Sequence, residues 1–178
     1  THMSGLRAGI PATPAWTGYE AAIERACGES LRHAPDSAFL YSDINYIVLG
    51  EVVRLVSGQK LHDYVAREVF GPLKMIDTGY LPPAAKLARI APTELVEGKM
   101  IHGVVHDPTA RRMGGVAGHA GLFITTADLA RFCRMLLRCT SMLRSKRASG
   151  RPSAASQISF LVTTRPALRI STSSTLNS

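Results

Sequence analysis

The chain has 178 residues, 46% hydrophobic and 19% charged, and a formal net charge of +8. This size and composition are typical of one globular domain, and no apolar run reaches the ~18 residues that a membrane-spanning helix needs, so we expect no transmembrane segment. Three scattered cysteines form no CxxC pair, which excludes a disulfide framework and predicts core or incidental thiols. They are Cys27, Cys133 and Cys139.

The positive charge is concentrated at the C-terminal end. Six of the 21 basic residues and none of the 13 acidic ones lie in residues 140–178, so residues 1–139 keep 15 basic against 13 acidic residues, a net charge of +2. Without a basic stripe interleaved with aromatic residues, this body is not expected to bind nucleic acid. The Ser-rich remainder predicts a disordered basic tail at 140–178 behind a folded domain at 1–139. Electrostatic binding of the tail to nucleic acid or anionic lipid is a subsidiary hypothesis.

Apolar periodicity predicts the first two helices. Residues 1–16, rich in Gly and Pro, predict an irregular segment, which a helix over 19–31 follows. A second helix is predicted over about 45–57, with Asp43 or Asn45 as N-cap. The faces expected to be buried are Ala22, Ile23, Ala26, Cys27 and Leu31 in the first helix, and Ile44, Ile47, Val48, Val52, Leu55 and Val56 in the second.

A third helix is predicted over residues 61–69, where Gly71-Pro72 ends it. The prolines of the following segment forbid long helices, so short strands are expected near 90–95 and 100–105. The sequence His106-Asp107-Pro108 predicts a turn.

Thr125 and Asp128 are close to a capping box and predict the start of a fourth helix. A glycine-rich stretch over 114–121 precedes it. The face of this helix expected to be buried is formed by Leu129, Phe132, Cys133 and Leu136.

Four segments, taken in chain order, carry a family pattern. They are Thr1-His-Met-Ser-Gly-Leu6, Tyr41-Ser-Asp-Ile-Asn-Tyr46, Val69-Phe-Gly-Pro-Leu-Lys-Met75 and Gly118-His-Ala-Gly-Leu-Phe-Ile-Thr-Thr-Ala-Asp-Leu-Ala-Arg-Phe132. Together they resemble the serine beta-lactamase and penicillin-binding-protein-like superfamily, in particular its class C and esterase-like branch. The resemblance implies a mainly α structure: the helical subdomain, with short strands, of the α+β serine beta-lactamase/DD-peptidase fold. It covers residues 1–137, and no resemblance is seen in the tail.

The superfamily works by acyl transfer to a serine that a neighbouring base activates. By resemblance, Tyr41 is the proton-relay residue of the Tyr-x-Asn motif, and Asp43 stands where the family has Asn. Both are expected in the catalytic site, with Asn45, His119 and Gly121 at the substrate cleft. A carboxylate beside Tyr41 would raise the pKa of the phenol. Alternatives stay open: a half-buried tyrosine before a helix for Tyr41, simple N-capping for Asp43 and a structural loop for His119.

Two of the family's motifs have no convincing match. The one Ser-x-x-Lys, Ser57-Gly-Gln-Lys60, follows Tyr41 and falls where a helix is predicted to end, so no nucleophile is assigned in this chain. No Lys-Thr-Gly or His-Thr-Gly occurs, and His119-Ala-Gly121 precedes a helix instead of forming a strand. We therefore expect a fragment of a serine hydrolase, inactive alone, in which the tail is an out-of-frame continuation.

The resemblance implies hydrolysis of a beta-lactam, a D-Ala peptide or an ester, a small-molecule or peptidoglycan-like substrate, and a periplasmic or extracytoplasmic location in bacteria. A non-catalytic binding module derived from the same fold is the alternative. No cofactor and no metal are predicted. The pair His102 and His106 is spaced for a helical zinc site, but Gly103 and the β-branched residues between them disfavour a helix there.

Overall fold

The computed structural model describes residues 2–148, with side chains described for residues 2–141. The architecture is mainly helical with one very short hairpin, as predicted. The elements in order are α1 (Tyr19–Cys27), α2 (Ile44–Ser57), α3 (Leu61–Val65), which continues as a π-helical turn at Ala66–Phe70, a 3₁₀ turn at Ala84–Arg89, β1 (Leu95–Val96), β2 (Lys99–Met100), α4 (Pro108–Arg112) and α5 (Thr126–Ala148).

The ends of α1 and α2 follow from local backbone chemistry. Helix α2 ends at Gly58, whose φ of 70° is left-handed and whose N–H donates to the carbonyl of Arg54. A residue without Cβ takes this conformation without strain, so Gly58 serves as the C-terminal cap. Helix α1 stops at Cys27, short of the predicted residue 31. Leu31 is 51% exposed, so it makes no core contact that would stabilise a longer helix.

The core lies where α1 and α2 pack against α4 and the glycine-rich stretch behind it. Small residues of α1 allow this close packing, since Ala22 and Ala26 are almost fully buried. Ile44 and Ile47 present the buried face of α2 to the same cluster. The buried members of the core are Ile10, Ala22, Ala26, Ile44, Ile47, Val105, Ala110, Met113 and Ala117.

The second half of α2 does not bury the face that its periodicity predicts. Val52, Leu55 and Val56 are 45%, 65% and 84% exposed. Periodicity identifies an apolar stripe but not whether another element covers it, and the core cluster of the described residues ends near Gly50. The prediction of a fully buried face was therefore wrong beyond this glycine.

The expected buried face of the fourth helix is also largely exposed. Leu129 and Leu136 are 46% and 47% exposed, and Phe132 is partly buried. The three cysteines are free and exposed, so of the two possibilities predicted for them the core placement is wrong and the incidental thiol remains. The buried residue at the start of α5 is instead polar: Asp128 is 1% exposed.

Helix α5 begins as predicted and ends later. The Thr125 hydroxyl accepts a hydrogen bond of 3.3 Å from the N–H of Asp128, which confirms the N-cap. The helix continues to Ala148, past the boundary predicted at residue 139. The rest of the predicted tail, residues 149–178, lies outside the described residues.

The predicted strands shrink to a hairpin with two residues on each side. Leu95 pairs with Met100 and Val96 with Lys99, in antiparallel register. The turn residues Glu97 and Gly98 both have positive φ, which is typical of a tight hairpin turn. Strands this short position a loop and do not form a sheet layer.

Backbone contacts divide the chain into two units. The first covers residues 1–131 and contains α1 to α4, the hairpin and the first turn of α5. The second begins at Phe132. No helix within residues 2–148 combines the length and hydropathy that crossing a bilayer demands.

Candidate functional site

Tyr41 lies on the loop that leads into α2, and its side chain is 56% exposed. His2 holds this loop in two ways. Its ring stacks on the Tyr41 ring with centroids 4.5 Å apart, and its Nδ1 accepts a hydrogen bond of 3.0 Å from the N–H of Ser42. Phe39 and Tyr46 contact the same imidazole edge-on. Tyr41 is thus positioned by packing on one side and open to solvent on the other.

Asp43 occupies the N-cap position of α2, but its side chain makes no capping hydrogen bond. Its carbonyl accepts the N–H groups of Tyr46 and Ile47, each at 3.0 Å, so the helix starts there without the carboxylate. The side chain is therefore available to the site.

The Asp43 carboxylate controls the acidity of Tyr41. The neutral phenol can donate a hydrogen bond to Asp43, and this, together with the negative charge of that carboxylate, raises the pKa of Tyr41 above its ordinary value of 10.0. Partial desolvation and the charge of Asp107 act in the same direction. Tyr41 is consequently protonated at neutral pH in this arrangement.

Asp107 and His119 form a second polar pair. Asp107 is the N-cap of α4: its Oδ1 accepts the N–H of Ala110 at 2.6 Å, with Pro108 in the first turn. The same oxygen lies 2.9 Å from Nε2 of His119, whose side chain is only 4% exposed. The pair therefore ties the start of α4 to the glycine-rich stretch before α5.

The fold brings Asp43, Asp107 and His119 together. One side-chain donor atom from each lies within 4.8 Å of the other two. Asp43 and His119 were predicted from the sequence as site residues, whereas Asp107 was predicted only as a turn. Asp before Pro at a helix start is a recognisable N-terminal signal that favours a cap at Asp107, but no sequence signal points to its partner.

The other predicted cleft residues lie nearby but outside this cluster. Asn45 is partly buried in the first turn of α2. Gly121 is buried, has a φ of 112°, and lines a cavity of about 740 Å³ together with Asp107 and Ala120. Two cations on the cavity wall, Lys86 and Arg89, are both paired with Asp77.

Ser57 and Lys60 do not share a helical turn. Ser57 ends α2 and its hydroxyl donates to the carbonyl of Val53 at 2.6 Å, whereas Lys60 is extended and precedes α3. His102 and His106 have separate partners: the Ile90 carbonyl at 2.8 Å and the Glu94 carboxylate at 3.1 Å. These two histidines therefore do not share the zinc site for which their spacing was considered.

The family model described as Beta-lactamase matches residues 1–169. This match extends past the boundary predicted at residue 139. A protein of Escherichia coli K12, named provisionally as a D-alanyl-D-alanine carboxypeptidase, is 37% identical over 124 residues. A Salmonella schwarzengrund protein with the same name is 34% identical over 129 residues. In both cases the match covers 60% of this chain and 28% of the relative's length.

Solved structures share the fold at low identity. FmtA from Staphylococcus aureus has a TM-score of 0.61 at 17% identity, over 77% of this chain and 38% of that one. A beta-lactamase/D-alanine carboxypeptidase from Yersinia pestis has a TM-score of 0.57 at 18% identity, over 74% and 36% of the two chains. Because the family model matches most of the chain, the chain belongs to the beta-lactamase family.

Proposed function

We propose that residues 1–139 supply the Tyr41 side of an acyl-transfer site in a serine hydrolase that acts on D-Ala peptides, beta-lactams or esters. Tyr41 would relay the proton, and Asp43 would orient the phenol. His119, Asn45 and Gly121 would border the substrate. No nucleophilic serine is assigned in this chain, because Ser57, the serine of its one Ser-x-x-Lys sequence, is engaged at the end of α2.

The observation that carries this proposal is the placement of Tyr41. A tyrosine that only filled space before a helix would have its hydroxyl covered, yet this side chain is 56% exposed while its ring is fixed by His2. A ring that is held rigidly on a residue open to solvent is what a positioned acid or base requires. The name of the Escherichia coli relative favours a peptide ending in D-Ala among the three substrates.

A second candidate is a non-catalytic binding module built on the same fold. The raised pKa of Tyr41 favours it, because a phenol beside a carboxylate is a poor base at neutral pH. In a catalytic site a cation would have to offset Asp43. In a binding module the neutral phenol and the carboxylate would serve as hydrogen-bond donor and acceptor.

We further propose that residues 140–178 form a separate basic tail and that the protein acts outside the cytoplasm on peptidoglycan-like substrates. Limited proteolysis that removes residues from Thr140 onward, while residues 1–139 stay intact, would support the first part. Localisation of the natural gene product by cell fractionation addresses the second.

The decisive experiment compares this chain with a product extended through the upstream codons. Each is assayed with nitrocefin, p-nitrophenyl acetate and a peptide ending in D-Ala-D-Ala. The extended product should turn over at least one of them, and Tyr41→Phe should lower kcat/KM by roughly 10²- to 10⁴-fold. Tyr64→Phe, a tyrosine on α3, is the matched control and should keep full activity.

Two results would go against the enzyme. Turnover that persists undiminished in Tyr41→Phe would remove Tyr41 from the mechanism. An extended product with an intact upstream Ser-x-x-Lys that neither turns over nor becomes acylated would favour the binding module.

A further inference from the structure

We propose that Asp43, Asp107 and His119 form a binding site for a divalent metal cation. The three donors come from three separate segments of the first unit: the residue before α2, the residue before α4 and the glycine-rich stretch before α5. Their donor atoms lie within 4.8 Å of one another. The site shares Asp43 and His119 with the acyl-transfer site proposed above, but its occupancy by a metal ion is measured without any acyl transfer.

The donor set decides the class of cation. Two carboxylates and one imidazole suit Mn²⁺, Fe²⁺ and Zn²⁺, whereas Ca²⁺ prefers oxygen donors alone. Metal–ligand bonds of about 2.1 Å place two ligand atoms at most about 4.2 Å apart. Since the donor atoms already lie within 4.8 Å of one another, small inward rotations would close the shell, and water would fill the remaining positions.

The charges of the cluster also favour a bound cation. Some other acidic side chains of the first unit have arginine partners: Glu51 pairs with Arg54, and Asp128 with Arg131. Within residues 2–141, by contrast, no lysine or arginine forms an ion pair with Asp43 or Asp107. Two neighbouring carboxylates without a lysine or arginine partner repel each other, and a bound cation would relieve this repulsion.

His119 supplies an independent observation. Its side chain is 96% buried, and its ring is directed into the cluster, with Nε2 at 2.9 Å from Asp107. Its other ring nitrogen, Nδ1, is buried and has no hydrogen-bond partner among the described residues. The ring is therefore held by a hydrogen bond on its Nε2 side alone, and Nε2 is the nitrogen that faces the carboxylates.

The same unpartnered nitrogen predicts the strength of binding. Tight metal sites hold each imidazole with a second hydrogen bond from its free nitrogen, and loss of that bond weakens affinity 10- to 100-fold. His119 cannot donate such a bond from Nδ1 here. We therefore expect a dissociation constant in the micromolar range, weaker than that of a structural zinc site.

Mn²⁺ is the probe for the test, because the exposed thiols of Cys27, Cys133 and Cys139 would bind Zn²⁺. The 178-residue chain, freed of metal with a chelator, is titrated with Mn²⁺, and free Mn²⁺ is followed by electron paramagnetic resonance. One equivalent should bind. Asp43→Asn, Asp107→Asn and His119→Gln should each weaken binding at least tenfold.

The chain offers a matched control in His62 and Asp63, an imidazole–carboxylate pair 3.6 Å apart that is not part of a three-donor cluster in the described structure. His62→Gln and Asp63→Asn should leave Mn²⁺ affinity unchanged. Asp43→Asn is the site variant expected to disturb the fold least, because the Asp43 carboxylate makes no capping hydrogen bond. Circular dichroism of each metal-free variant verifies the fold. A dissociation constant above about 1 mM, or binding that the site variants do not weaken, would overturn the proposal.

Discussion

Gly118 lies directly against the carbonyl oxygen of Tyr46. A Cβ at position 118 would sit 1.8 Å from that oxygen, far inside van der Waals contact. Gly50, which lies on α2 together with Tyr46, also packs closely against Gly118: a Cβ at position 50 would lie 3.4 Å from the Cα of Gly118. This close backbone approach brings His119, the next residue along the chain, beside the start of α2.

We expect Gly118→Ala to destabilise the fold by about 3 kcal/mol or more, because the clash is with backbone and cannot be relieved by a rotamer change. Gly9→Ala is the control, since a Cβ at position 9 meets nothing within 4 Å. Thermal or urea unfolding gives both values. Equal stability of the two variants would mean that the glycine-rich stretch does not pack on α2 as described.

The pKa of Tyr41 should fall when Asp43 becomes Asn. The carboxylate raises this pKa by accepting a hydrogen bond from the phenol and by its charge, and Asn lacks the charge. Absorbance at 295 nm against pH, measured in the presence of a chelator, reports the five tyrosines, and subtraction of the Tyr41→Phe titration isolates Tyr41. Asp36→Asn, which changes an exposed carboxylate elsewhere, is the control. A Tyr41 titration unchanged in Asp43→Asn would show that the two side chains do not interact.

Asp77 should contribute stability that disappears in acid. Hydrogen bonds from Arg89 and Lys86 lower its pKa from 3.8 to about 2. The folded state therefore binds the proton less readily than the unfolded chain, so the contribution is present above about pH 4 and is lost as pH falls through 2. Tm of Asp77→Asn should lie below that of the natural sequence at pH 7, and the gap should close by pH 2. A gap that is independent of pH would refute this linkage.

The stability contribution of Tyr19 has the opposite pH dependence. Burial, followed by the hydrogen bond to Glu51 and the charge of that residue, raises the pKa of Tyr19 from 10.0 to about 12. Its contribution is complete below pH 10 and is lost as pH rises through 12, because the unfolded chain releases the proton first. Tyr19→Phe should therefore show a shallower loss of Tm between pH 9 and pH 12. Tyr64→Phe is the control. The prediction fails if Tm of both variants falls between pH 9 and pH 12 as steeply as Tm of the natural sequence.

Local patterns predicted the helices and their limits well where the determining interactions are local. Gly58 ends α2 because it takes a left-handed conformation, and Thr125 begins α5 because its hydroxyl caps the Asp128 N–H. Burial was predicted less well. Val56 shares the apolar stripe of α2 and is 84% exposed, since burial depends on which other element packs there.

Short motifs and caps were enough to predict the family, the main helices and Tyr41, Asp43 and His119 as candidate site residues, because they depend on residues close together in the chain. Only the tertiary structure brought in Asp107. This residue lies 12 positions from His119 and joins it at 2.9 Å across the start of α4. Contacts between distant segments depend on packing such as that of Gly118 on Tyr46, which no local pattern encodes.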